Sequence, residues 1–127
     1  MEKVSGIGGF FFRAQDPAAL GAWYRDHLGV GEVPSSDGDL PWRQEAGPTA
    51  FSPFPKTTDY FGDSGKVWMI NFRVDDLTEF VAALRARGVE VQDPAECAPV
   101  GWFARLNDPE GNPIELWEVA ADRAASP

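Results

Sequence analysis

The sequence has little of the chemistry that marks the commonest functional sites. It holds a single cysteine, Cys97, in 127 residues, so no disulfide can form within the chain. It holds a single histidine, His27. That ring falls at the end of a helical pattern, where its structural use is as a cation at the helix C-terminus. No histidine is placed to activate Cys97, so a thiol nucleophile is not expected. No apolar run approaches the roughly 20 residues needed to cross a bilayer. Positive charge is scarce: 11 Lys and Arg against 20 Asp and Glu leave a net charge of −9. A surface of that sign repels phosphate backbones, so nucleic acid is not an expected partner. The first residues lack an apolar signal core, and the expected location is the cytosol.

What is present is enough for a core. Hydrophobic residues make up 43% and aromatics 13% of the chain, and the length suits one domain, residues 1–127. Within it, two stretches repeat. With a shift of 60 (72 minus 12), Phe12 matches Phe72, Arg13 matches Arg73 and Asp16 matches Asp76. Ala22 and Ala82, and Arg25 and Arg85, keep the same register. A shared register over strand, cap and helix points to one folding unit used twice.

The local signals agree. Residues 7–13 read as a strand, and Asp16-Pro17 then starts a helix over 17–28 that Gly29 stops. Residues 29–39 are turn-rich, and short strands are expected at 42–45 and 49–54. Residues 55–65 read as a linker. The second unit opens with a strand at 67–74, and Asp76 caps a helix whose apolar face is Leu77, Phe80, Val81 and Leu84. Gly88 ends it. Strands follow at 89–91, 102–106 and 113–119, the last two joined by the turn Asp108-Pro109-Glu110-Gly111-Asn112. Cys97 falls in an expected loop. Unit one thus spans about residues 5–58, unit two about 66–119, and 120–127 is a tail. The class is α+β, with mostly antiparallel pairing and one helix covering one face of each unit's sheet.

Three segments in order, DPAALGAWYRDHLG from Asp16, FRVDDLTEFVAALRARG from Phe72 and DPEGNPIEL from Asp108, resemble the vicinal oxygen chelate superfamily. That superfamily includes glyoxalases, bleomycin-resistance proteins and extradiol dioxygenases. The resemblance implies two tandem βαβββ units whose eight strands curve around a cavity, one helix per unit on the outside, in a homodimer. It also implies where metal ligands would stand: Gly9 on the first strand, Met69 on the fifth, Glu115 on the last, and a fourth position within 49–54. Glycine offers no side chain, and a thioether is a poor ligand for hard divalent ions. Residues 49–54 hold no His, Asp, Glu or Cys. Glu115 alone cannot build a divalent site, so no metal or other cofactor is expected.

Strand alternation places Gly9, Phe11, Met69, Asn71, Glu115 and Trp117 towards the cavity, with Trp42 and Trp102 as walls. Such a pocket is mainly apolar, with a few polar groups to orient a small organic ligand. Two functions are open. One is metal-independent sequestration, as the resemblance to bleomycin-resistance proteins implies. The other is a lyase or isomerase using Glu115 as acid or base, with a weakly held divalent metal. Arg13 and Arg73 suit salt bridges at the strand ends. Protein purified without chelator is expected to carry no stoichiometric metal. Elemental analysis, with thermal shift against divalent ions, checks this, and a metal lost on Glu115→Gln substitution would refute it.

Overall fold

The computed structural model describes residues 1–31, 42–63 and 65–120. Most of the turn-rich stretch after Gly29, one linker residue and the tail beyond 120 therefore lie outside the described residues.

The two helices start where the repeat places them. α1 (Pro17–Leu28) and α2 (Leu77–Ala86) begin 60 residues apart (77 minus 17). Asp16 Oδ1 accepts from the Ala19 N–H at 3.1 Å, and Asp76 Oδ1 from the Glu79 N–H at 3.0 Å. Each carboxylate satisfies an amide that the helix leaves without an internal partner. Gly29 and Gly88 follow the helices with φ of 72° and 85°, a conformation in which a Cβ would clash.

Four strands form one mixed sheet: β1 (Ile70–Arg73), β2 (Ala95–Cys97), β3 (Gly101–Asn107) and β4 (Pro113–Val119), in the order β1-β4-β3-β2. β1 runs parallel to β4, and the other two pairings are antiparallel. With α2 between β1 and β2 this is a complete βαβββ unit, the second of the two expected. The parallel pairing follows from that order: a helix returns the chain after β1, and the β3–β4 hairpin carries it back alongside β1.

Several expectations change. Residues 7–13, 42–45 and 49–54 are not strands in this structure; they make no backbone ladder. The 7–13 segment is held by its rings instead. Phe10 and Phe12 lie 4.9 and 5.0 Å from the Trp68 ring, and Phe12 lies 6.3 Å from Tyr24. Phe11 points the other way and is 85% exposed. Residues 89–91 alternate like a strand but form no ladder with the sheet. The one ladder-like bond there is Gln92 N–H to Arg105 O, at 2.9 Å. The edge strand beside β3 is β2, so Cys97 lies in a strand and not in a loop.

The core lies on one side of the sheet. Ala104, Leu106, Ile114 and Leu116 point into it from β3 and β4, Leu77, Val81 and Leu84 from α2, and Leu20 and Tyr24 from α1. Glu118 shares this side and accepts from the first amide of α2, Leu77 N–H, at 2.8 Å. Gly101 meets β4 where no side chain fits: a Cβ there would stand 2.1 Å from the Glu118 carbonyl oxygen. Among the described residues no helix is long and apolar enough to cross a membrane.

α1 is fastened to the β3–β4 turn by two carboxylates. Asp108, buried, accepts from the Tyr24 hydroxyl at 2.6 Å. It also accepts from the Glu110 N–H and Asn112 N–H at 2.8 and 3.0 Å and from Asn112 Nδ2 at 2.8 Å. Glu110 accepts from the Gln15 and Asp16 amides at 2.8 and 3.1 Å. A hydrogen bond to a charged group contributes about 1.5–3 kcal/mol, and an unmade one costs at least as much. Tyr24→Phe is therefore expected to destabilise the fold by about 1–3 kcal/mol, and Asp108→Ala by more, since it strands the hydroxyl and the turn amides together. Urea unfolding midpoints measure both; a Tyr24→Phe midpoint equal to wild type would refute the linkage.

Candidate functional site

The other side of the sheet carries the polar residues. On β4, Glu115 and Trp117 alternate with the core residues Ile114 and Leu116. On β1, Asn71 stands beside Glu115 in the parallel register. On β3, Arg105 stands opposite Glu115 and Phe103 opposite Trp117. The turn sets that antiparallel register: Asn107 pairs with Pro113, so every residue before the turn meets a fixed one after it.

Glu115 is the centre of the group. It is 9% exposed, and a carboxylate so placed needs donors. Asn71 Nδ2 donates to Oε1 at 2.7 Å, and the Tyr60 hydroxyl donates to Oε2. Tyr60 rises from a turn closed by Gly62 N–H to Asp59 O at 3.0 Å. The Arg105 guanidinium lies over its ring, 4.6 Å from the centroid, and Arg105 Nη1 donates to its backbone carbonyl. The Phe54 ring stacks on Tyr60 at 6.1 Å and 17°. Further along β4, Trp117 stacks on Phe103 at 5.9 Å and 5°, and its indole N–H donates to Val100 O at 3.0 Å. Arg73, on the same face as Asn71, sends Nη2 to Glu45 O at 2.9 Å. Arg73 is thus tied to backbone and not to a carboxylate.

The sequence-derived site residues divide. Asn71, Glu115 and Trp117 share this face, and Met69, half-buried one residue before β1, keeps their alternation. Trp102 does not wall this side. It pairs with Glu118 and shares the face of Ala104 and Leu106, the helix side; Phe103 takes the place expected for it. Among the described residues no hydrogen bond or ring contact joins Gly9, Phe11 or Trp42 to Glu115. The Phe11 ring instead covers Gly9, where a Cβ would stand 2.8 Å from it, and Trp42 is 47% exposed.

Tyr60, Arg105 and Phe54 were not expected. The partner of Glu115 on β3 was available by counting, because Arg105 lies as many residues before Glu110 as Glu115 lies after it. Tyr60 had only one signal: it and Phe61 are two aromatic rings in an otherwise polar turn segment, rings in need of a surface.

The described residues around Glu115 do not supply a ligand set for a divalent ion. Among the described residues no three His, Cys, Asp or Glu side chains gather into a cluster. Both oxygens of Glu115 are engaged by donors. His27 lies on α1, its ring 5.3 Å from Trp23. A cleft of about 900 Å³ opens elsewhere, lined by the turn after α2, the end of β3 and Trp23. It is wide open and, of the Glu115 group, holds Arg105 but neither Glu115, Asn71 nor Tyr60. Converging polar groups among aromatic side chains mark the Glu115 face as the candidate site.

A βαβββ unit with its helix on one face of the sheet and a polar cluster on the other defines a class of α+β domain that presents small-molecule sites. The comparisons give the family: the glyoxalase-like domain matches residues 9–117, and the chain belongs to that family, within the vicinal oxygen chelate superfamily. Among curated proteins, none matches the chain. Two solved structures share the fold. Lactoylglutathione lyase from Agrobacterium tumefaciens is 22% identical with a TM-score of 0.61, over 92% of this chain and 96% of its own. TnmS3, an antibiotic binding protein from Streptomyces sp. CB03234, is 22% identical with a TM-score of 0.61, over 94% and 100%.

The chain has two tyrosines, Tyr24 and Tyr60, and both are held neutral. Burial pushes the Tyr24 phenol well above the usual 10.0, and its bond to Asp108 and that group's charge add to this. Burial raises Tyr60 as well, with the bond to Glu115 next, while Arg105 works against them. A raised phenol favours the folded state while neutral, so this contribution is whole below pH 10. It is lost as pH rises from 10 through the folded-state values. The native protein is expected to show less tyrosinate absorbance at pH 10 than the urea-unfolded chain, which is half ionised there, and its stability is expected to fall above that pH. Two phenols titrating at 10 in the native state would contradict this.

Proposed function

We propose that the Glu115 face binds a small organic molecule without a resident metal, and that Glu115 orients the ligand through hydrogen bonds. The observation that carries this reading is the pairing of both Glu115 oxygens with side-chain donors, Asn71 and Tyr60, on a face that also carries aromatic rings and Arg105. A carboxylate held this way stays an acceptor and offers a ligand donor a fixed direction. The fold neighbour described as an antibiotic binding protein supports the class of function, and the missing ligands at positions 9 and 69 support the absence of a metal.

Residues 5–58 form the first βαβββ unit in this reading and residues 66–119 the second; the eight-stranded sheet around the site is complete only when residues 7–13, 42–45 and 49–54, unpaired in this structure, join the four strands described. The ring contacts of Phe10 and Phe12 with Trp68 support it, since they set the 7–13 segment alongside the segment that leads into β1. Gly9, Phe11, Met69 and Trp42 line the cavity once that sheet is closed. The protein works as a homodimer in the cytosol, on family analogy. Nucleic acid is not a partner, given the net charge of −9.

A second reading is a lyase or isomerase. Tyr60 favours it, as the acid–base neighbour that Glu115 lacked in the sequence. A proton moved between Tyr60 and Glu115 would be its signature, and Tyr60→Phe would then lower turnover while leaving binding intact.

A thermal-shift screen of small molecules tests the main reading. Glu115→Gln is expected to weaken the hits about tenfold or more, the worth of one charged hydrogen bond. Hits that bind Glu115→Gln and wild type alike would place the ligand elsewhere. Light scattering at micromolar concentration tests the dimer, and a monomer would refute it.

A further inference from the structure

We propose that Tyr60 is an internal occupant of the Glu115 site, and that the ligand it stands in for is a neutral planar aromatic molecule bearing a hydroxyl group. This rests on the reading of Glu115 as a binding group.

Tyr60 is on a turn and not on the sheet, yet its side chain is treated as a ligand would be. Its hydroxyl donates to Glu115 Oε2, its ring lies against the Arg105 guanidinium at 4.6 Å, and Phe54 stacks on it. Its backbone is held separately. Arg105 Nη1 donates to its carbonyl oxygen, and its own N–H donates to Thr58 Oγ1 at 3.2 Å. The side chain can therefore turn away while the turn stays in place. At 39% exposure it reaches solvent without crossing the core.

What it would leave behind has a defined chemistry. Asn71 still holds Glu115 Oε1, so Oε2 keeps its direction and needs a new donor. Arg105 stays tethered through Nη1 and keeps a flat cationic face for a ring. Glu115 and Arg105 stand opposite one another with opposite charges, so a ligand charge of either sign is attracted by one and repelled by the other and gains little over a neutral ligand. A neutral hydroxyl on a ring satisfies both groups, as the Tyr60 phenol does. Phe103, half-buried on the same face and stacked on Trp117, offers aromatic surface to a second fused ring.

2-Naphthol and 2-methoxynaphthalene, titrated into the full chain by calorimetry, test the proposal. 2-Naphthol is expected to bind wild type, and Tyr60→Ala about tenfold or more tightly, because one charged hydrogen bond no longer competes. Tyr60→Phe, which keeps the ring, is expected to fall between them. 2-Methoxynaphthalene, without the donor, is expected to bind about tenfold or more weakly than 2-naphthol, with a smaller gap in Glu115→Gln. Equal or weaker 2-naphthol binding by Tyr60→Ala and Tyr60→Phe would show Tyr60 to be a wall and overturn the proposal. Equal binding of the two probes by wild type would also overturn it. If 2-naphthol fails in every variant while other screen hits depend on Glu115, this proposal falls and the binding reading stands. If no hit depends on Glu115, the binding reading falls too.

Discussion

A buried carboxylate, Asp108, organises the molecule. It closes the β3–β4 turn through two backbone amides and the Asn112 side chain, and it takes the hydroxyl of Tyr24 from the other half of the sequence. A charge out of water is tolerated only when its acceptor capacity is filled, and here four donors fill it. The turn that results fixes the hairpin register. The register puts Arg105 opposite Glu115 and Phe103 opposite Trp117. The geometry of the candidate site is thus downstream of a group on the far side of the turn that touches none of it.

The sheet separates two kinds of chemistry. Its helix side is apolar, with an aliphatic centre of Leu, Ile, Val and Ala into which Tyr24 is packed and against which Phe72 and Phe80 lie. Its other side is aromatic and charged, and its polar groups answer one another: Asn71 and Tyr60 to Glu115, Arg105 to Tyr60. Both tyrosines donate to a carboxylate, with opposite uses. Tyr24 locks a helix in place and is buried for good. Tyr60 sits on a turn at the surface, where a similar bond is reversible.

Much of the fold was legible because the cues were local. Asp16 and Asp76 cap helices a fixed shift apart, and Gly29 and Gly88 end them. The DPEGN turn, the flanking strands and the alternation of Ile114 and Leu116 against Glu115 and Trp117 are also short-range signals. The failures were of another kind. Residues 89–91 alternate like a strand, but whether they pair depends on where β3 lies. Trp102 was assigned to the cavity by size and aromaticity, although its place one residue before Phe103 puts it with Ala104 and Leu106. The Tyr60–Glu115 contact joins residues 55 positions apart, through a turn whose path no periodicity describes. The family resemblance located Glu115 and could not supply its partners, since the matched motifs contain neither Tyr60 nor Arg105.

The bond from Tyr24 to Asp108 spans 84 residues. At the usual pace of about 5–20 residues per second, roughly 4–17 s separate the emergence of the two partners from a ribosome. During that interval α1 has its caps but no receptor, and Leu20 and Tyr24 face water. The helix made first is therefore the helix docked last, and until the final hairpin closes, the nascent chain presents an apolar stripe that other proteins can bind.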